Sequence, residues 1–187
     1  MAITSTLTTQ DVLRTGLRVS NASLEDVAFY DRAAYRRMDQ LTKGSQDEIL
    51  TVTLFPKATI ELLTMLEFVW WPVYAANKGL AASKVNLDGK LVTAFDPSKL
   101  LKMNQTLIQL EVYKAVELFY STVVTDSANV NEKDAVNHEY AAKRFQTEWN
   151  KAKVGSYFYD ADVDGTVDDT EENAGLGDVY DADRRYF

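Results

Sequence analysis

Asp96–Val124, DPSKLLKMNQTLIQLEVYKAVELFYSTVV, is the stretch on which the fold turns. Asp96 is a good helix N-cap, and Pro97 suits the first helical position, where its missing N–H costs nothing. From Leu100 onward apolar side chains recur at helical spacing: Leu100, Leu101, Leu107, Ile108, Tyr113, Val116, Phe119 and Tyr120. They cover much of the circumference, and a helix that is apolar nearly all round is a buried one. A central helix running from this cap to Val124 is therefore expected.

Working outward, the polar run TDSANVNEKD reads as a linker, and a second helix follows over 134–153 with Ala141, Phe145, Trp149 and Ala152 along one face and Gly155 closing it. On the other side, KVNLDGKLVTAF carries Asp88-Gly89 between apolar residues, the signal of a hairpin with a type I′ turn near 85–93. Lys57 to Asn77 reads as an apolar helix that Pro72 kinks or ends after Trp70 and Trp71. The β-branched run from Glu48 to Phe55, ending at Pro56, reads as a short strand or a helix–helix connection, with the strand preferred. Ser23 then caps a helix over LEDVAFYDRAAYRRMDQL that stops at Gly44, and a shorter helix is expected around Thr9 to Leu17.

The chain has 187 residues, 46% apolar and 11% aromatic, enough for one domain that buries roughly two-thirds of its unfolded surface. It has no cysteine, hence no disulfide, thiolate site or cysteine nucleophile, which fits a reducing compartment. The opening MAITSTLTTQD has neither the basic nor the apolar region of a secretory signal. The most apolar stretch, Ile60 to Ala76, falls short of the ~20 residues of a membrane span and contains Glu61, Glu67 and Pro72. A buried helix is expected there, in a soluble protein with no membrane partner.

The net charge of −8 is unevenly placed. The last 32 residues hold ten acids and two bases, Arg184 and Arg185, so residues 1–155 are formally neutral. No basic stripe for nucleic acid is present.

Within that acidic end, DADVDGTVDDTE fits the calcium-loop template position by position. Asp160, Asp162 and Asp164 take positions 1, 3 and 5, and Gly165 takes position 6, where the chain turns sharply. Thr166 offers its backbone carbonyl at position 7, Asp168 stands at position 9, and Glu171 at position 12 is the bidentate ligand. Calcium wants six to eight hard oxygens, and alternate side chains of a tightly curled loop converge on one point. The aromatic-rich helix before the loop is expected to enter it. After Glu171 comes ENAGLGD, whose glycines argue against an exiting helix, and no second loop exists in the chain. A lone loop of this kind is a structural clamp more than a switch.

Other candidates carry little. His138 is the one histidine, in polar surroundings, so a zinc site and most Ser-His-Asp arrangements are excluded. Asp47-Glu48 and Asp168-Asp169 are paired carboxylates with nothing to place them in an apolar pocket, and no catalytic residue is assigned. Trp70-Trp71-Pro72 reads as core before partner patch. The terminal YDADRRYF reads as an extended tail or a segment docking on a neighbour.

The succession LIQLEVYKAVELFYS, polar linker, EYAAKRFQTEWNKA and SYFYDADVDGTVDDTEE resembles the head–tail connector (adaptor, head-completion) proteins of tailed bacteriophages, over residues 98–175. The residues read above point to a mainly α fold: a helical bundle over 1–155 with a small β-hairpin insertion relative to that family's pattern, then an acidic calcium-loop segment and extended docking tail over 156–187. The resemblance implies a non-enzymatic virion protein assembled in the host cytoplasm. Such a protein forms a ring beneath the portal, commonly a dodecamer, and contacts the portal and other neck or tail proteins. The alternatives are a single-loop calcium-binding regulatory or interaction protein, and an enzyme with structural calcium.

Overall fold

Ser23 opens the first helix among the described residues as expected, α1 (Leu24–Tyr30), with a reciprocal capping box: Asp26 N donates to Ser23 Oγ, and Ser23 N donates to Asp26 Oδ2. The computed structural model describes residues 17–125, 132–154 and 158–160. The expected helix over 24–41 is in fact two, because Asp31 adopts φ −144°, ψ 80° and caps both. Its N–H closes α1 on Val27 O at 2.8 Å, while its carboxylate accepts Ala34 N at 2.9 Å to start α2 (Arg32–Thr42). The stop falls where glycine marks it: Lys43 (φ 52°) and Gly44 (φ 97°) turn left-handed.

The strand expected over 48–55 is not formed. A continuous helical run, α3 (Gln46–Asn77), occupies the region. Leu50 and Leu54, four apart, are buried, whereas the β-branched Thr51 and Val52 are exposed, so the burial period is that of a helix. Thr51 Oγ1 donates to Asp47 O at 2.8 Å, satisfying its hydroxyl within the helix.

Neither proline ends α3. Leu50–Leu54 and Leu66–Trp70 are π turns, closed by Phe55 N to Leu50 O and Trp71 N to Leu66 O. Pro56 and Pro72 come immediately after. A proline lacks the N–H of the regular ladder and its ring crowds the carbonyl four residues back; the wider turn ahead of each ring relieves that clash, so the helix runs on to Asn77. By length and composition α3 passes the test for a membrane span, but half of its most apolar window is buried inside the molecule.

Strands β1 (Ser83–Val85) and β2 (Leu91–Thr93) form the expected antiparallel hairpin, pairing Ser83 with Thr93 and Val85 with Leu91. The type I′ turn is not what closes it. Gly89 N donates to Asn86 O at 3.0 Å, and only Gly89 has positive φ (74°) there. The Asn86 side chain accepts from Asp88 N and Lys90 N, a longer loop with one left-handed glycine.

Asp96 and Pro97 do start a helix, but only the 3₁₀ turn Pro97–Lys99. The central helix, α4 (Gln105–Thr125), begins later, where Asn104 accepts from Thr106 N at 2.9 Å. Leu100 is extended instead (φ −76°, ψ 128°). Helix α5 (Glu132–Val154) packs along α4, burying Ala141, Phe145, Trp149 and Ala152 as the sequence pattern requires. The described residues are thus mostly helical with one small two-stranded sheet, built around α4, whose apolar side chains are largely buried.

Candidate metal centre

The first residue of the calcium-loop motif is held firmly. Leu101 N donates to Phe158 O and Asp160 N donates to Lys99 O, both at 3.0 Å, so the segment 158–160 lies antiparallel beside 99–101. This is why Leu100 is extended and α4 starts late: its backbone is given to the segment that precedes the loop.

Side chains reinforce that pairing. Phe158 is fully buried and Tyr159 nearly so. Tyr159 stacks on Phe95 at 5.9 Å between ring centroids and sits 5.5–5.6 Å from the rings of Trp70, Trp71 and Tyr74, while Phe158 lies 5.2 Å from Trp70. Trp70-Trp71 therefore belongs to the core, and Trp71 Nε1 donates to Ala82 O at 2.9 Å, tying the hairpin to the same cluster. Burial pushes the Tyr159 phenol up to about 12; a hydrogen bond with the Asp96 backbone pulls the other way, and the Asp96 carboxylate adds to the rise.

Asp160, at 4% exposure, is the motif's one candidate ligand among the described residues. Asp162, Asp164, Thr166, Asp168 and Glu171 lie outside them, as does Gly165. One expectation changes: the approach to the loop is not helical. Helix α5 ends at Val154, and Phe158–Asp160 is an extended, bridged segment, because its aromatic side chains are needed in the core. The donor set the motif offers is entirely oxygen, which fits calcium and not a soft metal. Among the described residues no group of three or more acidic or histidine side chains forms another metal site. His138 stands half-buried on α5, and Asp47 and Glu48 are exposed.

Sequence reasoning missed the buried ionic cluster under the N-terminal segment. Glu111 is fully buried in the middle of α4. Arg18 donates to its two carboxylate oxygens from Nε and Nη2, each at 2.9 Å; Thr59 Oγ1 donates at 2.6 Å, and Ser20 Oγ donates as well. Arg18 also lies 4.4 Å over the Phe55 ring. The one signal for it was an acid interrupting LIQL and VYKAV on the central apolar helix. A second pair, Arg37 Nη2 to Asp134 Oδ2 at 2.6 Å, ties α2 to the first turn of α5.

Comparison with protein-family models, with curated proteins and with solved structures finds no match to this chain.

Proposed function

We propose that this chain is a non-enzymatic structural protein of a tailed-phage virion, a ring-forming head–tail connector, in which one calcium ion orders the C-terminal segment. The observation that carries the calcium part is the fixed start of the loop: two backbone hydrogen bonds and the rings of Trp70, Trp71, Tyr74 and Phe95 hold Phe158–Asp160. A loop that leaves such an anchor can be clamped by calcium, but it has no entering helix to swing. Calcium sensors of the paired-loop type work by changing the angle between helices flanking the loop. The anchor therefore favours a clamp over the regulatory alternative.

If the ion binds, Asp160, Asp162, Asp164, Asp168 and Glu171 would hold it through carboxylates and Thr166 through its carbonyl. The ion would neutralise carboxylates crowded into one turn and set the path of the residues beyond. The ring role is supported by the charge partition and by the resemblance over 98–175.

Native mass spectrometry of the purified chain, with calcium and then with EDTA, tests both parts. One calcium per chain, lost in Glu171→Gln, together with ring-sized assemblies alone or on a portal, is the expected result. A chain that takes up no calcium at about millimolar concentration, the weak end for such loops, would overturn the clamp. A chain that stays monomeric in every mixture would overturn the ring.

A further inference from the structure

Where α2 meets the first turns of α5, basic side chains from both helices line a cavity of about 290 Å³. Arg36 and Arg37 face it from α2, Lys133, Asp134 and Asn137 from α5, and the buried Tyr120 of α4 closes its floor. Three positive charges against one negative line it. The one negative charge is already spent. Arg37 closes its fork on the buried Asp134, Nε to Oδ1 at 3.1 Å and Nη2 to Oδ2 at 2.6 Å, which also locks the guanidinium in place. Arg36 and Lys133 are exposed, and neither has an acid within ion-pairing distance among the described residues. Nearby acids do not cancel the excess. Asp31 is held by Arg144 at 3.6 Å, Asp39 accepts from Gln46 Nε2, and the exposed Glu132 lines no part of the cavity. Burial pushes the Tyr120 phenol up to about 12, with Asp31 and Asp134 adding to the rise, and it shares a hydrogen bond with Asn137. The floor is thus neutral and hydrogen-bonding.

We propose that this cavity binds a phosphate group, with Arg36 and Lys133 closing on it from the two helices and Arg37 as a fixed positive wall. A phosphate dianion matches the excess of positive charge, where a single carboxylate would leave one charge over. Its tetrahedral oxygens accept from several sides at once, as donors on two helices allow, and the start of α5 adds the positive end of its dipole. The bound group would bridge α2 to α5 and reinforce the Arg37–Asp134 tie. The site stands apart from the calcium motif. At 1.5 Å per residue, α4 runs about 22 Å from Gln105, near the anchor of Asp160, to Tyr120. The phosphate site therefore stands or falls independently of the calcium clamp and the ring.

Calorimetric titration of the full chain with inorganic phosphate, in chloride buffer of physiological ionic strength, tests the site. The chain should bind one phosphate, and its thermal midpoint should rise with phosphate present. Arg36→Gln and Lys133→Gln should each weaken binding about tenfold or more, through loss of a charge-assisted hydrogen bond. Both variants should keep the helical circular dichroism and the phosphate-free midpoint, since neither side chain holds an ion pair in the fold. Lys57→Gln, at an exposed base elsewhere, should bind as the unaltered chain does. Titration with glycerol phosphate separates the sources: tighter binding than inorganic phosphate assigns an organic phosphomonoester, and equal or weaker binding assigns the free ion. No uptake of either up to about 1 mM would overturn the proposal. Uptake that both variants leave unchanged would reduce it to an adventitious ion only. A short DNA duplex that binds through Arg36 and Lys133 when phosphate does not would overturn it in favour of a nucleic-acid backbone contact.

Discussion

Glu111 shows what one buried side chain decides. It ties residues 17–20 to α3 and α4 through Arg18, Ser20 and Thr59, and removing a partner strands a charge out of water. Arg18→Ala should cost about 3 kcal/mol, read as a drop in the denaturant midpoint at unchanged slope. Lys143→Ala, which breaks the exposed pair with Glu139, should leave the midpoint where it is. Alkaline pH reports on two other residues. Burial pushes the phenols of Tyr120 and Tyr159 up to about 12 from the ordinary 10. Between pH 10 and 12 the unfolded chain has released protons that the native one retains, so stability contributed by these groups is complete below pH 10 and lost as pH rises toward 12. Tyr159→Phe should flatten part of that decline in unfolding measured across the range. Single-residue signals were readable only where they act locally. Ser23 was legible as a cap, whereas the second cap at Asp31 sits inside an unbroken helical pattern, and Glu111 names its partners only once three distant segments meet.

At the scale of elements, the segment 158–160 is the piece on which most else depends. Phe158→Ala should cost about 4 kcal/mol, the usual penalty for emptying a buried aromatic site, and should also weaken calcium uptake by freeing the loop's first ligand. Glu171→Gln should abolish uptake with the thermal midpoint in EDTA unchanged; calorimetric titration beside thermal unfolding checks both. Asp31→Ala should cost about 1 kcal/mol by uncapping α2. Helix α5, the hairpin and the stop at Lys43-Gly44 were legible because local pattern and tertiary need agree there. The strand expected over 48–55 failed for a physical reason: the helical cost of its β-branched residues is small, Thr51 and Val52 face solvent, and Leu50 and Leu54 take the core at helical spacing. The late start of α4 was hidden likewise, since Leu100 and Leu101 fit a helix but are used as the pairing edge for Phe158 and Asp160.

For the whole molecule, the division of labour follows the charge. A formally neutral body carries the core and the exposed apolar hairpin, and the acidic end begins at a rigid aromatic anchor. The proposed calcium motif is read from the spacing of its residues alone, and those after Asp160 lie outside the described residues. The extended, core-bound approach to Asp160 was not legible, because it depends on Trp70, Trp71, Tyr74 and Phe95 converging from elsewhere in the chain. The central claim is that calcium clamps the segment after Asp160 without moving the helices before it. Hydrogen–deuterium exchange read by mass spectrometry, in calcium and in EDTA, tests it most directly. The account predicts that calcium protects peptides covering 161–175, that α4 and α5 exchange alike in both conditions, and that Glu171→Gln removes the protection. Calcium-dependent change spreading through α4 and α5, or no protection after Asp160 at all, would contradict it.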